Sequence, residues 1–400
     1  MVGKVRFDVT AAGHLCLDMI PRFRTQREAS TVGQLLQPGT LVQMGKMTFS
    51  TGGSVSNVGI AMKIFGCSVA FAAKVGADAI GRTIVEILDQ SGSAQGIVVT
   101  RDEASSYTVI LSPPGIDRIF MHYPGTNDTF SAGDVDMEAV DSSRLFHLGY
   151  PTLMRSLFAD EGRELSRIVN RVKQAGVTTS LDISLPDPGS EAGSADWRKI
   201  YERALPQVDI FLPSVEEIFF TLHPREYLKR KRTRGGQELI DFVSPEELSG
   251  FAEQLLCLGC AIAAVKAGHN GWYIRTAGKK RIRAMGRAAP DDPDSWADRE
   301  LWCPAFRTDK IVGTTGAGDS SIAAFLTALL RGHRIEECLK LANCAGFLNL
   351  HAPDTLSGLV SWGELQDTYP GLPVRDDIPL PEDWGWEENL KIWERKLNRR

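Results

Sequence analysis

The 400-residue chain suits one large α/β domain with additions or two ordinary domains, and its 43% apolar and 24% charged content is that of a globular protein. A formal net charge of −5 gives no reason to expect nucleic acid or an acidic membrane as the main partner. No apolar run approaches the roughly 18 residues of a membrane span, the N-terminus lacks a signal-peptide core, and seven scattered cysteines suit reduced thiols, so a cytoplasmic protein is expected.

In chain order, residues 5–13 read as a strand, 58–65 as a helix, 69–74 as a strand and 80–90 as a helix. Further strands are expected at 145–148, 178–182, 210–212, 262–266 and 271–275, with helices at 163–174, 197–204, 245–258 and 320–331. Such alternation predicts parallel strands with helices on both faces. Two regions break the rhythm. Residues 21–51 contain the strand-like LVQMGKMTF, and 106–124 read as a hairpin around Pro-Pro-Gly-Ile-Asp. Together they predict a small β-sheet projecting from the main one. The basic run LKRKRTR at 228–234 is expected as a solvated loop. Cys257 and Cys260 form a C-x-x-C with no second pair and no paired histidines, which favours core cysteines over a metal site. Trp384, Trp386 and Trp393 make it unlike a disordered tail, so the stretch after 369 is expected to pack partly on the body.

The most informative run is KIVGTTGAGD, from Lys310 to Asp319, followed at once by apolar residues at helical spacing. A glycine loop opening a helix is an anion site, because free N–H groups and the helix dipole point the same way. Gly313, Gly318 and Ser320 fit the phosphate loop of nucleotide hydrolases, but Asp319 occupies the lysine position. A carboxylate there would repel bound phosphate. It makes sense if it faces an acceptor and takes the proton of an attacking hydroxyl, which points to a kinase acting on a small alcohol.

With Gly52-Gly53-Ser-Val-Ser-Asn57 upstream, Gly-Ala-Gly-Asp319 closely resembles the ribokinase-like (PfkB) carbohydrate kinase family, over about residues 8–365. The resemblance implies an α/β fold: a three-layer α/β/α sandwich with a mostly parallel central sheet and a small β-sheet lid. The kinase domain would be residues 1–368, with a discontinuous lid at about 20–51 and 104–127, and 369–400 as a tail. Asp319 would be the general base, and the backbone of Gly316, Ala317 and Gly318 the anion hole. Asp18, after the first strand, with Gly52, Gly53 and Asn57, would hold the acceptor. Lys266, Gly268 and Gly271 match the nucleotide turn T-x-G-x-x-G, with Lys266 replacing its small polar residue. Asn343 falls where relatives contact adenine. Ser214 and Glu217 occupy N-x-x-E, whose carboxylate organises magnesium through water, with Ser214 replacing asparagine. The lid often makes the dimer contact, so a homodimer is expected.

Two further departures shape the expected chemistry. Ser54 stands where some relatives carry lysine, which favours a neutral acceptor. Gly313 replaces an aspartate that helps bind a monovalent cation, so potassium activation should be weak, absent or built differently. The expected activity is transfer of the γ-phosphoryl group of ATP, with Mg2+, to a hydroxyl of a small sugar. A nucleoside kinase and a silent sugar- or nucleotide-binding regulator are the alternatives.

Overall fold

The structure, a computed structural model, describes residues 5–25, 28–92, 94–233, 239–375 and 377–396. Its strands are β1 (Phe7–Gly13), β2 (Cys16–Phe23), β3 (Met44–Gly52), β4 (Val69–Gly76), β5 (Ile97–Thr100), β6 (Tyr107–Leu111), β7 (Ile119–Tyr123), β8 (Ser143–Gly149), β9 (Thr178–Asp182), β10 (Ile210–Phe211), β11 (Ile262–Lys266), β12 (Trp272–Thr276), β13 (Glu300–Cys303), β14 (Trp384–Glu387) and β15 (Ile392–Arg395). Eleven of them form one sheet in the order β14-β15-β13-β12-β11-β10-β9-β8-β1-β4-β5. The seven from β11 to β5 run parallel, and the remaining four continue the sheet by antiparallel pairing.

A parallel sheet needs both faces covered, and its strands show it: β4, VAFAAKVG, is buried along its whole length. Val9 and Ala11 of β1 pack on one side with the helices Ser54–Ile64, Ala317–Leu330 and Ile335–Asn349, while Ala12 packs on the other with Arg155–Gln174, Trp197–Ala204 and Pro245–Cys257. The helix Ala317–Leu330 is buried from Asp319 onward, which explains why its sequence is apolar on nearly every side. It brings the glycine loop to the sheet as a fixed element of the core.

The second sheet has the order β3-β2-β6-β7. Asp18 lies opposite Ser50 of β3 and Thr108 of β6, and Thr108 lies opposite His122 of β7. It begins at Cys16, with only two residues between it and the end of β1, so the lid is anchored directly on the main sheet.

The basic run is not a loop. Its described residues continue the helix Pro224–Thr233, where Arg230 pairs with Glu226 and Glu247 and lies over the Phe219 ring. Pairs at i, i+4 and that ring contact offset the repulsion among like charges. Arg234 lies outside the described residues. Cys260 is buried as expected, whereas Cys257 is exposed. Among the described residues, no helix is long and apolar enough to cross a membrane.

Candidate active site

Parallel strands end on a common edge, and ligands of open α/β sheets bind there. On this edge stand Gly13, Gly149, Asp182 and Lys266, the last residues of β1, β8, β9 and β11. Asp319 reaches the same edge from the first turn of its helix. Its Oδ2 accepts a hydrogen bond from the Asn57 amide at 2.8 Å, and its Oδ1 accepts one from the Tyr150 hydroxyl at 2.6 Å. Burial raises the Asp319 carboxyl above the ordinary range, while Tyr150, Asn57 and Lys266 pull it back down. Two donors on different elements therefore orient one carboxylate. Asn57, expected at the acceptor, instead holds the expected base.

Gly316 caps this helix in the left-handed region, at φ +79°, and a Cβ there would lie 2.2 Å from Thr355 Cγ2. Glycine is required on both counts. The Ala317 N–H leans on the Thr314 carbonyl at 3.3 Å, and the first-turn N–H groups have no acceptor within the helix itself. A Cβ placed on Gly318 would meet Cδ of Lys266 at 3.6 Å and its Nζ at 4.0 Å, so the lysine lies along the loop.

Lys266 is a largely buried cation on this edge. Its Nζ is 2.7 Å from Asp182 Oδ1 and 3.9 Å from Glu217 Oε2. Burial alone would lower its pKa, but the two carboxylates outweigh that and hold it above the ordinary lysine value. Asp182 Oδ2 is buried with no hydrogen-bond partner among the described residues. Glu217 Oε2 accepts from the Ser214 N–H at 2.5 Å, and Ser214 Oγ accepts from the Glu217 N–H at 3.3 Å. This capping box commits the Ser214 side chain to the start of the helix Val215–Leu222. Ser214 is also absent from the nucleotide-sized cleft described next, so the expected nucleotide contact there has no geometric support.

That cleft holds about 630 Å³ and is lined by Lys266, Gly268, Gly271 and Asn343, expected at the nucleotide, and by Ala317 and Gly318 of the expected anion hole. Phe306, Phe347 and Leu350 give it an apolar wall. The Asn343 amide nitrogen donates to the carbonyls of Cys303 and Pro304, so it braces that wall. Gly271, at φ +91°, would place a Cβ 2.2 Å from the Cys303 carbonyl oxygen.

Asp18 belongs to the lid sheet itself, in β2. Burial raises its carboxyl to about 6, against weak opposing hydrogen bonds from Cys16 and Thr108. At Gly52 and Gly53, expected at the acceptor, the space a side chain would take is filled by protein groups. A Cβ on Gly52 would stand 2.3 Å from Asp18 Oδ2, and one on Gly53 2.4 Å from the His14 carbonyl oxygen. Ser54, at the position where some relatives carry lysine, faces His147 Nε2 at 3.3 Å.

Sequence reasoning missed Tyr150 and Asp182. Both follow from the strand-end rule, which the sequence reading applied only to β1. Tyr150 carries a second signal, since it adopts φ 60° without being glycine, a strained backbone of the kind that clusters at functional sites.

Comparison with known proteins places the chain in a family and a fold. A family model described as pfkB family carbohydrate kinase matches residues 19–360. An uncharacterized sugar kinase of Archaeoglobus fulgidus is 28% identical over 70% of this chain and 89% of its own. In fold, the chain is similar to an Arabidopsis thaliana ribokinase complexed with ribose and ATP, with a TM-score of 0.66, 19% identity and coverage of 90% and 98% of the two chains. An E. coli protein in complex with ATP and Mg2+ is similar at a TM-score of 0.63, with 20% identity over 90% and 98%. The glycine loop, its carboxylate and a match spanning most of the sequence have one origin: the chain belongs to the pfkB family of carbohydrate kinases.

Proposed function

We propose that the protein transfers the γ-phosphoryl group of ATP to a hydroxyl of a small neutral sugar. The observation that carries this reading is the place of Asp319: a buried carboxylate in the first turn behind a glycine loop, gripped by Asn57 and Tyr150 beside the nucleotide-sized cleft. Asp319 accepts the proton of the attacking hydroxyl as the new P–O bond forms and the bond to the ADP oxygen breaks. Tyr150 and Asn57 orient the carboxylate. The N–H groups at 316–318 and the Lys266 ammonium face the charge on the transferring phosphoryl oxygens.

Asp182 and Glu217 fit a hydrated magnesium ion, because Asp182 keeps a buried oxygen without a partner and hard cations take carboxylate and water oxygens. Bound there, the metal supplies neutralisation of phosphate charge. Asp18 takes the acceptor's hydroxyls, and the Ser54 side chain turned to His147 leaves that end without the lysine of some relatives. Gly313 offers no carboxylate to potassium, so the reading includes no potassium requirement. It includes a homodimer through the lid, whose Phe49, Phe120 and Met121 are exposed. It also includes a reducing compartment, supported by seven free cysteines.

The test follows ADP formation against neutral sugars, sugar acids and nucleosides, with the native chain and Asp319→Asn. A neutral sugar should be the best acceptor, and the variant should bind ATP normally but lose at least about 10² in turnover. Preference for a nucleoside would make the protein a nucleoside kinase. No acceptor-dependent ADP release at all would leave the regulator.

A further inference from the structure

The end of β1 and two lid strands bring three metal-ligating side chains to one point that the proposed phosphoryl transfer does not use. His14 follows β1, Cys16 opens β2 and His122 lies on β7, and one ligand atom from each falls within 4.8 Å of the others. The facing Nε2 atoms of the two histidines are 3.3 Å apart. That is long for a hydrogen bond, and it matches the edge of about 3.3 Å between two nitrogens on a tetrahedral zinc with bonds of 2.0–2.1 Å. The corresponding nitrogen–sulfur edge is about 3.6 Å, so the thiol must close by at most roughly an ångström.

The surroundings fit as well. His122 Nδ1 is 3.0 Å from Thr108 Oγ1, a second contact of the kind that fixes a ligating ring and leaves its Nε2 lone pair toward the ion. Thr108 Oγ1 is also 3.5 Å from the Cys16 sulfur, and Asp18 Oδ1 lies 3.5 Å from the same sulfur. His14 and Cys16 are buried while His122 reaches the surface, which gives an ion a way in.

We propose that His14, Cys16 and His122, with water in the fourth position, bind a zinc-class divalent ion that latches the lid to the main sheet beside Asp18 and so excludes the acceptor. The thiol proton leaves to solvent as the sulfur–metal bond forms. Exclusion of the acceptor rests on the proposed role of Asp18; binding of the ion does not.

The experiment titrates the metal-free full chain with Co2+, whose absorption reports both tetrahedral geometry and thiolate ligation. One equivalent should bind with a thiolate-to-cobalt band and be displaced by Zn2+. Cys16→Ser should abolish that band, and His122→Gln, at an exposed lid position that the fold tolerates, should weaken binding by about 10²-fold. Absence of the band, or its persistence in both variants (as ligation by the exposed Cys257 would produce), overturns the site. In the kinase assay, Zn2+ should compete with the acceptor and not with ATP, and the inhibition should fade in His122→Gln. Cobalt binding without such competition overturns the latch and leaves the metal site standing. A chain that phosphorylates no acceptor still answers the cobalt arm.

Discussion

Two carboxylates at the site differ in what surrounds them, and that difference should be visible in pH profiles. Asp319 receives two strong donors, whereas Asp18 has a thiol and a hydroxyl, and burial brings it to about 6. In the free enzyme Asp18 is therefore protonated below about pH 6 and ionised above it. If the ionised form grips the acceptor, kcat/KM for the acceptor rises with pH through about 6 and then levels. Asp18→Asn should lower kcat/KM and remove the limb that titrates there, while KM for ATP stays unchanged. A limb at the same pH in the variant would assign it to another group. Asp319 was legible in the sequence because a carboxylate in a phosphate-loop position is a chemical contradiction that only an acceptor resolves. Tyr150 and Asp182 stand at the carboxyl ends of β8 and β9, on the edge that the strand-end rule names, but the rule does not say which of the strand ends on that edge will meet the ligand.

At the scale of elements, most of the parallel strands, β12 and the β6–β7 hairpin were readable, whereas β5, β13 and the C-terminal hairpin were not. The reading of 178–182 and 262–266 matches β9 and β11, and 197–204 matches its helix, because buried strands and an amphipathic helix carry strong local patterns. β5 and β13 are four residues each, too short for period to separate them from loop. The helix Arg155–Gln174 is broken from Ala159 to Gly162 by non-helical backbone, and only its second part, from 163, shows a clean pattern in the sequence. Pairing of β2 with β3 yields a prediction of its own. Gly52 has no side chain where the Asp18 carboxylate sits, so Gly52→Ala must push that carboxylate aside or prise the strands apart. KM for the acceptor should rise about tenfold or more, with turnover at saturation and KM for ATP little changed; this corresponds to losing roughly one charged hydrogen bond. Equal weakening of both substrates would show that Asp18 is remote from the acceptor.

Across the whole molecule, the last described strands are part of the sheet's framework. Leu301 and Trp302 of β13 pair with Glu394 and Trp393 of β15, and Trp384 packs against Tyr273 and Trp302. Arg395 reaches the buried Glu300 at 3.3 Å, and Arg299 binds Glu394. Three tryptophans in the sequence announced packing here, but not that the hairpin would extend the main sheet, since its partner strand lies far upstream. Removal of residues 377–400 should lower the thermal midpoint by about 5 °C or more, because a buried carboxylate loses an arginine and β13 becomes a bare edge. A midpoint unchanged by the truncation would show that the hairpin is dispensable.

The same hairpin sets a schedule for the newborn chain. β15 is synthesised roughly 90 residues after β13. At ordinary translation speeds of about 5–20 residues per second, β13 waits roughly 4–18 s for its neighbour on the ribosome. During that interval the kinase presents the open edge of β13, with Trp302 on it, to every other nascent chain nearby, so demand for chaperones should be concentrated between the synthesis of β13 and that of β15.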